Sequence, residues 1–204
     1  MQPQANEDTD RVLLTAILRF VDERRESSVD GFRHAVTEWG HDWCGVAPTH
    51  LPAADLLEQM LDQTNTATHD LLSLFSRHRR SLHWEQAYSR TDNTVGDHML
   101  ANYGYAEVVG KQGPFLSTRI RAGVAVYGPG INYPLHQHEA EEIYVVLAGG
   151  AAFRLGDNEA VSFAPGSVIH HPSMMPHGLH TGTNTLVIFY LWQGGSLREK
   201  PTFV

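Results

Sequence analysis

The stretch that decides the fold reads Gly130-Ile-Asn-Tyr-Pro-Leu-His-Gln-His-Glu-Ala-Glu-Glu-Ile-Tyr144. In an extended chain alternate side chains point to one face, and four polar residues share even numbers: His136, His138, Glu142 and Tyr144. The apolar run 145–147 follows directly, which favours a central strand over a polar edge strand. Two imidazoles and a carboxylate are costly to bury unless something binds them. This donor mixture predicts a divalent metal, and it suits zinc, iron, manganese, cobalt or nickel.

The chain around this stretch, after about residue 94, is rich in Gly, Val, Ile and Tyr. Short apolar runs alternate with turn residues such as Gly128-Pro-Gly and Gly149-Gly150, a pattern typical of a closed sandwich or jelly-roll barrel. The predicted strands are 117–127, 133–138, 142–147, 151–155, 160–163, 167–170, 178–180 and 185–192.

The first half predicts helices, because apolar residues recur there at spacings of three and four. The first helix covers 11–20, with Thr9 or Asp10 as its cap, and the second runs to Trp39 and ends at Gly40. A third begins at Leu51, and a fourth follows a cap at Thr66. Each apolar stripe covers one side only, so we expect the helices to pack on the barrel.

Composition excludes several classes of protein. The 204 residues are 42% hydrophobic and 19% charged, which indicates a globular chain, and the net charge of -8 argues against a nucleic-acid partner. Residues 1–90 hold 9 Lys and Arg against 14 Asp and Glu, so 9 − 14 = −5, which disfavours DNA reading by the helices. A lone cysteine, Cys44, excludes an internal disulfide. The opening residues lack a secretory signal and no apolar run could span a membrane, so we expect a cytoplasmic protein.

A second histidine-rich segment, 165–180, offers further metal ligands. His170 and His171 are adjacent, so a strand would turn only one of them inward. His177 follows Met175-Pro176, at the start of the strand that would return across the barrel. We interpret the remaining histidines of the segment, including His180, as polar or supporting side chains.

Both segments resemble the two motifs of the cupin superfamily. The first motif, Gly-x5-His-x-His-x3-Glu-x6-Gly, is matched at every fixed position: Gly130, His136, His138, Glu142 and Gly149. The second is matched by Gly166, Pro172 and His177, and it departs at Met174, where glycine is usual, and at Thr181, where asparagine is usual. The resemblance implies an all-β cupin jelly-roll barrel over residues 94–204, preceded by an α-helical region over residues 1–93.

Within the cupins, the chain is similar to the bacterial dimethylsulfoniopropionate (DMSP) lyases that carry a helical N-terminal region. The residues that carry this resemblance are Tyr127-Gly-Pro-Gly, Tyr133-Pro-Leu-His, Glu141-Glu-Ile-Tyr-Val-Val-Leu-Ala-Gly and His170-His-Pro-Ser-Met-Met-Pro-His. It implies β-elimination of DMSP to dimethyl sulfide and acrylate, with one divalent metal bound by His136, His138, Glu142 and His177. It also implies Tyr144 as the base and Tyr133 as a second pocket tyrosine that shapes access or assists proton transfer.

The substrate is a zwitterion with a carboxylate at one end and a sulfonium at the other. A sulfonium favours an aromatic cradle, for which Trp192 is the candidate, supported by Tyr133 or Tyr190. Plain core packing is the competing interpretation of Trp192.

Two other functions stay open from the sequence. One is another metal-dependent cupin enzyme acting on a small molecule, either an oxygenase, which would require oxygen, or a sugar isomerase. The other, which the acidic helical half disfavours, is a cupin ligand sensor fused to a DNA-binding domain. The helical region also leaves room for a homodimer interface.

Overall fold

The computed structural model describes residues 4–37, 42–92, 95–197 and 199–204. Trp39 and Gly40, the predicted end of the second helix, lie outside the described residues, as do both residues at the predicted 93/94 boundary. Within the described residues, no helix is both long and apolar enough to cross a membrane.

The helices lie mainly in the first half, as predicted. The first begins at Glu7 and not beyond Thr9, because Asn6 is the cap and its side chain accepts a hydrogen bond from the Thr9 backbone. The fourth begins at His69 with Thr68 at its cap position, so the predicted cap at Thr66 is wrong. The helices are α1 Glu7–Asp22, α2 Ser27–Thr37, α3 Leu56–Gln59, α4 His69–His78 and α5 Asp97–Asn102. Short 3-10 turns occupy Pro52–Asp55, Leu61–Gln63, Arg79–Ser81 and Arg90–Asp92.

The strands form two sheets that face each other, the predicted barrel of cupin type. They are β1 Trp84–Glu85, β2 Tyr103–Gly110, β3 Phe115–Leu116, β4 Ile120–Tyr127, β5 Asn132–Gln137, β6 Glu141–Gly149, β7 Ala152–Leu155, β8 Val161–Ser162, β9 Val168–His171, β10 His177–His180, β11 Leu186–Gln193 and β12 Thr202–Phe203. One sheet runs β1-β2-β4-β11-β6-β9, with β3 beside β2, and the other runs β12-β5-β10-β7-β8. The strand that carries Glu142 therefore lies inside its sheet, flanked on both sides.

Two differences from the predicted strands have local causes. The strand predicted to begin at residue 117 begins at Ile120, because the Ser117 hydroxyl accepts backbone hydrogen bonds from Arg119 and Ile120 and closes a turn. The eight-residue strand β2 was not predicted at all. It is buried on both faces, which removes the polar alternation by which a strand is normally recognised.

The larger sheet separates two hydrophobic clusters. Along β6 the odd residues Ile143, Val145 and Leu147 join the outer cluster, which also contains the apolar faces of α1, α2 and α4. The even residues Tyr144 and Val146 join the inner cluster, which fills the barrel. Both faces of this strand are therefore buried, one under helices and one inside the barrel.

Residues before position 93 also enter the sheet itself. Trp84 and Glu85 form β1, which pairs with Ala106 and Tyr105 of β2. The Thr68 hydroxyl, at the start of α4, donates a 2.8 Å hydrogen bond to the Leu147 carbonyl of β6. Helical half and barrel are thus connected by shared strand pairing as well as by apolar packing.

Candidate active site

Three buried histidines share one orientation. In His136, His138 and His177 the Nδ1 atom donates to a backbone carbonyl, at 2.9, 2.8 and 2.8 Å respectively. The acceptors lie two residues away, on Pro134, Ala140 and Met175. A proton fixed on Nδ1 leaves the lone pair of a neutral imidazole on Nε2, so each ring is held in the tautomer that binds a metal through Nε2.

The Glu142 carboxylate lies at the centre of these rings. Its Oε2 atom is 3.1 Å from His138 Nε2 and 3.3 Å from His177 Nε2. Imidazole lone pairs and a carboxylate oxygen are all acceptors, so a proton or a metal ion has to lie between them. Burial would raise the pKa of Glu142, but when His138 and His177 carry protons on Nε2 and donate them to the carboxylate, they hold that pKa below its usual range.

The donor set fits a metal ion. One nitrogen from each of His136, His138 and His177 lies within 4.8 Å of the others, and Glu142 forms a second such group with His171 and His177. A proton bridges only one pair of acceptors at a time, whereas a divalent ion satisfies all of them. Burial, followed by the neighbouring His177, lowers the pKa of His136 to about 3, so this ring is neutral and free to bind a metal at ordinary pH.

The remaining histidines of the second segment differ in whether they face the barrel interior. His170 faces outward and contacts Glu141 at 2.7 Å, and His180 is exposed. His171 faces inward and is 1% exposed, with its Nδ1 3.7 Å from Glu142 Oε2. Neither of its ring nitrogens has a hydrogen-bond partner within the described part of the chain.

The tyrosines predicted to act in catalysis lie beside this cluster. Tyr144 is hydrogen-bonded to the Glu142 carboxylate and to Tyr127. Because the carboxylate accepts, the Tyr144 hydroxyl donates to Glu142. Burial, and then the Glu142 charge, raises the pKa of Tyr144 well above its usual value. Tyr133 stacks on His136 at 4.1 Å, and its hydroxyl lies 2.8 Å from that of Tyr88.

Trp192 supports the cluster directly. Its indole Nε1 donates to Glu142 Oε1, and its ring stacks on His138 with centroids 4.0 Å apart. The Arg121 guanidinium lies 5.2 Å from the same ring centroid. Trp192 still borders the cavity, but it also fixes one carboxylate oxygen, a contact that the sequence did not predict.

A cavity of about 170 Å³ opens beside Glu142 and His136, and Tyr144, Tyr190 and Trp192 all line it. Six of the seven tyrosines of the chain belong to the inner cluster and the seventh, Tyr105, packs against it. The residues that sequence reasoning missed here are Tyr88, Tyr103, Tyr105 and Arg121. Tyr88 lies between β1 and β2, and Tyr103 and Tyr105 lie on β2, in a part of the chain without a motif.

The two departures from the second motif leave the backbone intact. Met174 has φ of 61°, the left-handed region that explains why glycine is usual there. Its backbone N–H donates to the His138 carbonyl at 2.9 Å, so the turn keeps contact with the segment that carries His136 and His138. Thr181 is buried, donates to the Gly128 carbonyl at 2.8 Å and accepts from the Ile131 N–H at 2.9 Å. It therefore anchors the loop that precedes the first two histidines.

Comparison with known proteins agrees with this geometry. The family profile of DMSP lyases matches residues 29–188. The chain is 32% identical over 149 residues to DMSP lyase DddQ of Ruegeria pomeroyi, covering 73% of each protein. It is 30% identical over 119 residues to the putative DMSP lyase DddL of Cereibacter sphaeroides, covering 57% of this chain and 48% of that protein. The crystal structure of DddQ from Ruegeria pomeroyi superposes with a TM-score of 0.84 and 28% identity, covering 98% of both chains. With the fold, the buried histidine and glutamate cluster and these relatives in agreement, the chain belongs to the DMSP lyase family.

Proposed function

We propose that this protein cleaves DMSP to dimethyl sulfide and acrylate by β-elimination, at a metal held by His136, His138, Glu142 and His177. The observation that carries the proposal is the shared orientation of the three histidines. Each has Nδ1 tied to the backbone and Nε2 in the cluster around one buried carboxylate. Membership of the DMSP lyase family supports the substrate.

The metal would be one divalent transition ion, for which three imidazoles and a carboxylate suit zinc, iron, manganese, cobalt or nickel. When bound, such an ion acts as a Lewis acid toward the substrate carboxylate, and its charge favours the phenolate of a nearby tyrosine. The protein fixes the donors beforehand, because backbone carbonyls orient the rings and Trp192 holds the second Glu142 oxygen.

Tyr144 is the proposed base. Its hydroxyl is at the Glu142 carboxylate, so it lies next to the group that would hold the substrate. The phenolate takes the proton from carbon two, the carbon–carbon double bond forms, and the carbon–sulfur bond breaks. Dimethyl sulfide leaves as a neutral molecule and needs no acid.

The aromatic walls are proposed to receive the sulfonium end. Tyr133, Tyr190 and Trp192 line the cavity, and cation–π attraction to such rings contributes about 0.5–2 kcal/mol. Tyr133 is held by the hydroxyl of Tyr88, so its ring keeps its position over His136. Because His138 already stacks on the indole and His136 on Tyr133, Tyr190 offers the freer ring surface.

The helical region, residues 1–93, is proposed to be part of the same folding unit as the barrel at 94–204. Its contacts with the outer face of the sheet and its contribution of β1 support this arrangement. Tyr88, from the same region, reaches the cavity wall.

The proposal is tested by incubating metal-loaded protein with DMSP under anaerobic conditions and measuring headspace dimethyl sulfide and acrylate. We expect equimolar products without oxygen, loss of product after chelation, and recovery on adding back metal. Glu142→Gln should lower activity by about 10³-fold or more, since a Lewis acid contributes several kcal/mol. Glu141→Gln is the matched control, because Glu141 faces outward toward His170 and Gln193. Undiminished turnover in fully metal-free protein would contradict the proposal.

A further inference from the structure

His171 has a position that its neighbour in sequence does not share. In β9 it pairs with Glu142 of β6, so it projects into the barrel beside the metal-site carboxylate. Its ring stacks on His177 with centroids 4.2 Å apart and meets the Tyr144 ring edge-on at 4.6 Å. His170, one residue earlier, projects outward to Glu141.

The ring nitrogens of His171 are buried without a hydrogen bond in the part of the chain that the structure describes. The residue is 1% exposed, and neither Nδ1 nor Nε2 has a hydrogen bond within the described residues. A buried polar group left unpaired costs about 1–3 kcal/mol, so a histidine in this place requires a function for its nitrogens. An apolar side chain would fill the same space without that cost.

The distances from the histidine nitrogens to Glu142 Oε2 indicate that this function is metal binding. Donors that share one ion at about 2.0–2.2 Å lie about 3.0–3.5 Å from each other. His138 and His177 meet that range against Glu142 Oε2, at 3.1 and 3.3 Å. His171 Nδ1 lies at 3.7 Å from the same oxygen, so a side-chain adjustment of a few tenths of an ångström would bring it into range.

The tautomer of His171 is free, unlike that of the other three rings. Their Nδ1 atoms are occupied by backbone carbonyls, whereas His171 has no such bond. It can therefore carry its proton on Nε2 and present the Nδ1 lone pair to the cluster.

We propose that His171 is a fifth protein donor to the metal and binds through Nδ1. The inference rests on the metal site of the proposed function and extends it to four imidazoles and one carboxylate. The alternative role for the ring is a hydrogen bond from Nδ1–H to Glu142, which would make His171 a positioning residue.

Two substitutions separate these roles. In His171→Asn the side-chain amide can donate to Glu142 from nearly the place of Nδ1, but an amide is a poor ligand for a transition metal. His171→Ala removes both functions. His170→Asn is the matched control, since His170 lies on the opposite face of the same strand.

The readouts are the dissociation constant for Co²⁺, measured in competition with a chromophoric chelator, and the visible spectrum of the Co²⁺ protein. Replacing a group that only orients a ligand costs about 10–100-fold in affinity, so loss of a donor should cost about 100-fold or more. We expect this loss in both His171→Ala and His171→Asn, with a stronger visible absorption as the coordination number falls. His170→Asn should match the wild type.

Recovery of wild-type affinity and spectrum in His171→Asn would overturn the proposal and leave a positioning role. Unchanged binding in both His171 variants would overturn it as well. Wild-type protein that binds no Co²⁺ at all would instead refute the metal site itself, and with it the proposed function.

A measurement on the wild type guards against variants that do not fold. In protein with ¹⁵N-labelled histidine, Zn²⁺ should shift three Nε2 resonances and one Nδ1 resonance. Shifts confined to Nε2 atoms would contradict Nδ1 binding by His171.

Discussion

The two faces of strand β6 show how one stretch of chain has two functions. Inward, Glu142 and Tyr144 carry charge and hydroxyl groups into a cavity with four buried histidines around it. Outward, Val145 and Leu147 contact an apolar cluster that includes residues of four helices. The inner face holds polar groups at the cost of their desolvation, and the outer face contributes apolar burial that offsets it.

This division predicts that activity and stability can be changed separately, one from each face. Changes inside should alter metal binding or turnover while the chain stays folded. Substitutions on the outer face should lower the free energy of unfolding, and the site should be unaffected in the molecules that remain folded.

Removing the helical half should have the largest effect. A chain that begins near Asn93 loses α1 to α4, the strand β1 and Tyr88, and it exposes the outer face of the sheet. We expect aggregation or loss of DMSP turnover, measured by light scattering and headspace assay. A truncated chain that stays monodisperse and fully active would show that the helices form a separate module.

Tyr144→Phe should affect catalysis without affecting metal content. The change keeps the ring against His171 and deletes only the proton acceptor. General base catalysis contributes about 10²–10⁴-fold, so kcat should fall by that order while KM changes little. Metal content by elemental analysis should stay near normal. If Tyr144→Phe keeps near-wild-type kcat while Tyr133→Phe is inactive, the base is Tyr133.

Leu147→Ala should destabilise the fold from the outer face. Leu147 is fully buried in the outer cluster, and such a truncation costs about 2–5 kcal/mol. Urea unfolding measures this loss, and kcat at low temperature should equal that of the wild type. Leu116→Ala is the matched control, since Leu116 is 57% exposed and should change stability by less than about 0.5 kcal/mol. A large drop in kcat for folded Leu147→Ala would show that the two faces are coupled.

The smallest expected effect is a pH dependence of stability in metal-free protein. Burial lowers the pKa of His136 to about 3, whereas an unfolded chain has about 6.5. As the pH falls through 6.5, the unfolded chain takes up this proton and the folded chain does not, so stability decreases. From pH 7.5 to 5.5 the free energy of unfolding should drop by about 1 kcal/mol from this residue.

The measurement compares urea unfolding of wild type and His136→Asn at both pH values, after chelation. In His136→Asn the free energy of unfolding should decrease less between pH 7.5 and 5.5, by the amount that His136 contributes. His180→Asn, at an exposed position, should show the same decrease as the wild type. An equal pH dependence in wild type and His136→Asn would contradict the assignment.

Spacing along the chain was enough to predict the first three members of the buried cluster. His136, His138 and Glu142 are close in sequence, so the alternation of an extended strand and a five-position motif place them together. Gly149 closes that motif because its φ of 70° and its approach to the Thr185 carbonyl leave no room for a side chain. These are local properties, and the sequence contains them.

The sequence did not reveal the partners that arrive from distant segments. Tyr88 meets Tyr133 across 45 positions of the chain, and Trp192 meets Glu142 across 50. Strand β2 lacked a signal because helices cover its outer face and the barrel its inner face, so no polar alternation remained. Adjacency showed that only one of His170 and His171 could face inward, but not which one.

By itself, then, the sequence determined the barrel, the cluster of His136, His138 and Glu142 with His177, and the helical character of the first half, because periodicity and short-range spacing encode them. The tertiary structure decided that His171 faces the site, that Trp192 holds Glu142, and that the tyrosines of the chain gather in and around one inner cluster. These depend on strand register between segments far apart in the chain. Register is set by which faces are buried when the whole molecule packs, and no single segment contains that information.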